Sequence, residues 1–263
     1  MHGRHRRRTV PGRRGPRGGR GRPGDLLTPR AMPDTLLVSH RDGVCTLTLN
    51  RPAVRNAVDA ATMIRLREEI EARAEDGTRV IVITGADGAF SSGADLRAAL
   101  EANATADDAY RILTDAYAPA LRAVRNSPWP VLAAIDGPAA GIGLDLALAC
   151  DLRLASTRAT LAELFIRVGL IPDGGGTYTL QRLVGTGRAM EMILTGEPVT
   201  AEAALAMGLV NRVWPVEGFM DAVQTFAATI ARQAPLALRR ARRAVLDAQT
   251  GTFDDALARE AAH

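Results

Sequence analysis

The sequence predicts an α/β fold in which βα units come first and helices dominate the end. Three observations carry this. The runs "RVIVITG" and "PVLAAIDG" are short, apolar and uninterrupted, as strands buried on both faces require. Each leads through a Gly-rich turn into a helical segment, in "VIVITGADGAFSSGADL" and "VLAAIDGPAAGIGLDLALACD". From "GGTYTLQRLVG" onward nearly every segment has helical spacing. No fixed-period repeat is visible.

The elements follow in order. "TLLVSHRDGVCTLTLN" reads as a hairpin turning at Asp42-Gly43. "VDAATMIRLREEIEARAEDG" reads as a helix capped by Asp59 and stopped by Gly77. After "RVIVITG" come a loop of small residues and a helix. "DAYRILTDAYAPALRAVRNSP" has the pattern of one long amphipathic helix. After "PVLAAIDG", "GIGLDLALACD" is a short apolar helix and "LRLAS" a third buried strand. "GGTYTLQRLVG", "GRAMEMILTG" and "TAEAALAMG" read as short helices, and "LVNRVWP" as the last strand. "EGFMDAVQTFAATIARQA" and "PLALRRARRAVLDAQ" are helices, and "TFDDALAREAAH" begins another.

Composition excludes several chemistries. All 33 basic residues are Arg. With no Lys there is no Schiff base, no lysine-held pyridoxal phosphate and no P-loop lysine. The four His stand at 2, 5, 40 and 263, too scattered for a His-based triad or a His-rich metal site, so no metal is expected. His40 reads as an exposed strand residue. Cys45 and Cys150 lie in apolar surroundings and read as buried free thiols of a reducing, cytoplasmic compartment. No apolar run is long enough to span a bilayer.

The net charge of +4 is unevenly spread. Residues 1–31 hold ten Arg and one Asp, a net of +9, which leaves −5 for the remainder. This Arg, Gly and Pro segment has almost nothing to bury and is expected to be disordered. It reads as an RNA-contacting tail, as a transit peptide lacking Ser and amphipathic pattern, or, the reading preferred here, as sequence upstream of a start at Met32. The expected division is a tail over 1–31, a core over 32–215 and a helical region over 216–263.

The chemistry sits in the two strand–turn–helix units. Small residues let a ligand approach the main chain, and each following helix opens with free N–H groups. Two such turns side by side would aim two N–H groups at one oxygen, an oxyanion hole built from backbone. The alternative is that the small residues serve only close strand–helix packing. Neither turn fits the dinucleotide fingerprint, since Leu146 stands where the third Gly belongs, and no G-x-S-x-G surrounds any Ser.

Taken together, "LNRPAVRNAV", "GAFSSGADL", "IDGPAAGIGLDLALACDLRLAS" and "GLIPDGGGTYTLQRLVG" resemble the enoyl-CoA hydratase/isomerase (crotonase) family, in order and over about Leu36 to His263. The resemblance implies a crotonase-like spiral of ββα repeats with a helical C-terminal region. It implies a CoA thioester as substrate with no bound cofactor, an enolate held by backbone N–H groups, and a homotrimer or hexamer. It gives no role to a membrane or to nucleic acid. It places the oxyanion donors at the N–H groups of Ala94 and Ile142, the Ile142 side chain narrowing the pocket beside the thioester. It places CoA contacts at Arg55, Ala57, Ala94, Asp95, Leu96 and Arg97, though Arg55 reads equally as a surface Arg at a loop end. Family members continue past "FDDALAREAAH", so the helical region reads as short, with looser assembly or weaker CoA binding as the expected cost.

Hydratases of this family hold water between two Glu. The first aligns with Asp145. The second falls at Phe165, and Glu163, two residues away, is expected to point elsewhere. Asp173 in "GLIPDGGGT" stands where isomerases of the family that move a 3-enoyl double bond to the 2 position carry their acid. A single base suffices for that shift, and Phe165 would keep the pocket dry. Asp173 also reads as a turn or N-cap residue, and Asp145 as a helix first-turn acid. Hydration by the pair Asp145 and Asp173 is the second reading. A catalytically weak binding protein with an RNA-contacting tail is the third.

Overall fold

The computed structural model describes residues 34–96 and 105–262. The Arg-rich tail and Arg97 therefore lie outside the described residues, as does most of the helix expected after the small-residue loop. Strands β1 (Leu36–Arg41) and β2 (Val44–Leu49) form the expected hairpin, with Asp42 at φ 54° and Gly43 at φ 76° turning the corner. Helix α1 (Ala60–Ala72) is capped by Asp59, whose side chain accepts from Thr62 N–H at 2.8 Å. The helix stops five residues short of Gly77.

β3 (Val80–Gly85) and β4 (Val131–Ile135) are the two apolar runs, and β6 (Leu152–Ser156) and β9 (Arg212–Trp214) extend the same sheet. The order is β1-β2-β3-β4-β6-β9, with only the β1–β2 pair antiparallel. Alternation along these strands builds two apolar layers. Ile81 and Ile83, with Val131, Ala133 and Ile135, face a cluster that includes Met63, Leu66, Leu121 and Leu144. Val80, Val82, Leu132 and Ala134 face Phe219, Val223 and Ala227 on the opposite side. Cys45 joins the first layer, and both Cys are buried and free. His40 is exposed on β1, as its sequence context predicts.

The long helix is interrupted. It runs as α2 (Ala106–Ile112), a π-helical stretch (Leu113–Tyr117) and α3 (Ala118–Asn126). Pro119 has no N–H to give to the turn before it, and the ladder widens there, Ala118 N–H bonding Leu113 O.

A second sheet of three short strands, β5 (Pro138–Ala140), β7 (Thr160–Ala162) and β8 (Val199–Thr200), was not legible in the sequence. Strands of two or three residues carry no alternation to read. Between β5 and β7 lies α4 (Ile142–Ala149), every residue of which is buried. The next two predicted helices join as α5 (Gly176–Thr195) across a kink at Gly185. Then come α6 (Ala201–Ala206), α7 (Phe219–Ala231), α8 (Pro235–Asp247) and α9 (Phe253–Ala262). Arg242 on α8 reaches the core, pairing with Asp151 at 2.7 Å and donating to Ser127 O at 2.6 Å, Arg125 O at 3.0 Å and Val124 O at 3.2 Å. Among the described residues no helix is long and apolar enough to cross a membrane.

Candidate functional site

The two Gly-rich turns meet. Val58 N–H donates to Gly93 O at 2.8 Å and Asp95 N–H to Val58 O at 3.0 Å. On the other side Ser91 N–H donates to Pro138 O at 3.0 Å and Ala140 N–H to Ser91 O at 2.9 Å. This pattern consumes the groups flanking Ala94 and leaves the Ala94 N–H without an acceptor among the described residues. Ile142 opens α4, so its N–H has no acceptor within the helix. Gly93, at φ 102°, brings the two turns together. A β-carbon there would stand 2.9 Å from Ala140 O and 3.9 Å from Ile142 N. Close packing also uses small residues, since a β-carbon on Gly137 would run into Gly88 O. Small residues thus permit close packing at Gly137 and the approach of the two turns at Gly93.

"LNRPAVRNAV" supplies the brace for this loop. Asn56, buried, donates to Ala86 O at 2.8 Å and Ala89 O at 2.7 Å and accepts from Arg51 N–H at 3.0 Å. Arg51 pairs with Asp95 at 2.7 Å and donates to Ala57 O at 2.7 Å. The Tyr117 hydroxyl, presented by the π-helical stretch, donates to Val58 O at 2.8 Å, and burial raises its pKa. Of the residues predicted to touch CoA, Asp95 is thus tied to Arg51 and Ala57 is buried in the brace. Arg55 and Leu96 are exposed at the loop surface. Sequence reading singled out Arg55 and passed over Arg51 and Asn56, which stand in the same motif.

Three carboxyls gather beside α4. Asp145 is buried in its first turn. Its Oδ2 accepts from Gly174 N–H at 3.0 Å, and its Oδ1 has no partner of hydrogen-bond geometry. Burial pushes its pKa up; the Gly174 and Gly176 amides oppose this, and the charge of Asp173 adds to it. Asp173 is exposed in the single chain, yet the protein packed around its carboxyl still raises its pKa. Glu163 corrects the expectation made of it. It is fully buried, points toward Asp145, and has neither oxygen partnered. Glu163 caps a short 3-10 helix, Leu164–Val168, that carries Phe165, and both side chains are buried at this bend. Burial, then the charges of Asp145 and Asp173, raise the Glu163 pKa. Phe165 is buried as well, its ring 3.7 Å from where a β-carbon on Gly141 would stand. Ile142 is a second correction. Its side chain is buried and its Cδ1 packs against Gly174, under the turn carrying Asp173, so it lends no exposed wall to a pocket.

Raised carboxyl pKa values fix a sign. Asp145 and Glu163 hold protons more tightly in the folded chain than in the unfolded one. The stability these two groups contribute is therefore fully present below the ordinary carboxylate range, about pH 4, and is lost as pH rises through the raised values. Thermal unfolding between pH 5 and 9 should show Tm falling with pH, with a shallower slope for Glu163→Gln. A Tm that rises across that range would contradict the assignment.

A cavity of about 520 Å³ lies elsewhere, between the C-terminal end of α4, α5 and α8. Its one acid, Asp151, is held by Arg242, and none of the predicted site residues lines it.

The chain is similar to known proteins over most of its described length. The family model described as enoyl-CoA hydratase/isomerase matches residues 39–262. A probable enoyl-CoA hydratase of Rhodobacter capsulatus is 42% identical over 194 residues, 73% of each chain. The 1,2-epoxyphenylacetyl-CoA isomerase of Escherichia coli is 35% identical over 224 residues, 84% of this chain and 86% of the relative. The crystal structure of an enoyl-CoA hydratase from Bacillus anthracis superposes with a TM-score of 0.83 at 33% identity, covering 86% of this chain and 88% of that one. The chain belongs to the enoyl-CoA hydratase/isomerase family, has the crotonase fold, and is an enzyme of that superfamily.

Proposed function

We propose that the protein converts a 3-enoyl-CoA to the conjugated 2-enoyl-CoA. Asp173 takes a proton from C2 of the thioester, and the electron pair delocalises onto the carbonyl oxygen and C4. The Ala94 and Ile142 N–H groups stabilise that oxyanion. Asp173 then returns the proton at C4, and the double bond stands between C2 and C3. The observation that carries this reading is the difference in exposure among the three acids. Asp173 is exposed, whereas Asp145 and Glu163 are enclosed. Phe165 against Gly141 adds an apolar wall beside the oxyanion donors, where isomerisation needs no water. The substrate class comes from the family and from the names of the relatives.

Hydration of a 2-enoyl-CoA by Asp145 and Asp173 is the second reading. It is favoured by the unpartnered Oδ1 of Asp145, an acceptor able to hold a water. Assaying the unmodified protein with a 3-enoyl-CoA and a 2-enoyl-CoA separates the two. Conversion of the first without water addition to the second is expected. Efficient hydration with no 3-to-2 shift would reverse the ranking of the two aspartates.

A further inference from the structure

Glu163 is a buried acid to which that mechanism gives no task. Its side chain is wholly enclosed, and neither Oε1 nor Oε2 has a partner. Asp145 is in a similar condition on one side: Oδ2 is taken by Gly174, and Oδ1 has no partner of hydrogen-bond geometry, although the Gly176 amide favours its charge. The two come from different elements, α4 and the end of β7, yet they converge. A β-carbon on Gly176 would run into Asp145 Oδ1 and stand 3.0 Å from Glu163 Oε1. An ionised carboxylate enclosed without a donor or a cation is costly, and two side by side cost more. The charges that reach Glu163 are those of Asp145 and Asp173, both acids, and no cation among the described residues offsets it. A proton can.

We propose that Glu163 and Asp145 share one proton, neutral Glu163 donating to Asp145 Oδ1, and that the pair positions the turn that carries Asp173. The connection runs through named bonds. An ionised Asp145 accepts the Gly174 N–H through Oδ2, and Gly174 follows Asp173 directly in the chain. Glu163 in turn is anchored next to Ala162, whose carbonyl accepts the Gly141 N–H at 3.0 Å, one residue before the Ile142 donor. The acid pair thus links the segment presenting the base to the segment presenting an oxyanion donor. Glu163 is a positioning residue that acts through Asp145 and does not touch substrate. The shared proton rests on burial and geometry alone; its effect on turnover rests on Asp173 being the base.

Two measurements test this. Infrared spectra of the unmodified protein at pH 7 should contain a protonated-carboxyl band that disappears in Glu163→Gln. Absence of the band in the unmodified protein overturns the shared proton whatever the reaction. In the isomerase assay, Glu163→Gln keeps the shape and a donor and should hold kcat within about threefold. Glu163→Met removes the donor and should lower kcat about tenfold, leave KM unchanged and move the acid limb of the pH profile up by about one unit. If both variants lose activity alike and the limb stays in place, Glu163 only fills space and the positioning role falls. If the band is present and Asp173→Asn remains active, the choice of base is wrong while the acid pair stands.

Discussion

Asp173→Asn should lower 3-to-2 isomerisation by about 10³-fold, the middle of the range for losing a positioned acid/base group. The amide keeps the size of the carboxyl but cannot take the C2 proton. Affinity for CoA should hardly change, because the amide preserves the shape of the side chain. Asp145→Asn should do less damage, since Asp145 is enclosed and acts through Gly174. An Asp173→Asn protein with near-normal isomerisation would remove this residue from the reaction.

Ala94→Pro is expected to have the next largest effect. The substitution deletes one N–H that has no acceptor among the described residues. Gly93 precedes it, and glycine tolerates the restriction that proline places on its predecessor. Losing one oxyanion donor costs about 10²- to 10³-fold in kcat. Ala94→Gly keeps the N–H on a looser backbone and should lose far less. A folded Ala94→Pro protein turning over at nearly the normal rate would exclude this N–H from catalysis.

The β-branched run at Val80–Thr84 and the enclosed β4 were legible because burial on both faces leaves an uninterrupted apolar signature. The hairpin was legible because Asp-Gly is what its turn demands. The two strand–turn–helix units were legible from their shared grammar, while the positions Ala94 and Ile142 came from the family resemblance alone. What escaped depends on contacts far apart in sequence. Nothing local distinguishes Asn56 from any turn Asn, yet it bonds carbonyls 30 and 33 residues away. Glu163 was misjudged because distance along the chain was taken for divergence in direction. No local pattern announces the short 3-10 helix Leu164–Val168 that Glu163 caps, and it is at this bend, not on a strand, that the side chain is buried. The π-helical widening had a visible cause in Pro119, but a lone proline gives no hint of which neighbour, here Tyr117, the widening will turn inward.

Arg242 has a consequence for how the molecule comes apart. Helices α8 and α9 contain no buried residue, so little hydrophobic free energy fixes them to the rest. Among the described residues one guanidinium makes the densest set of polar contacts, meeting a carboxylate and three carbonyls, those of Val124, Arg125 and Ser127, beside Arg239 over the Trp129 ring and Arg125 donating to Gln249 at 3.2 Å. A fastening of that kind is directional and releases all at once. Residues 235–262 are therefore expected to open as a low-stability cooperative unit beneath the threshold for global unfolding. Amide exchange there should follow this local opening, and that of β3 and β4 should wait for the whole sheet to melt.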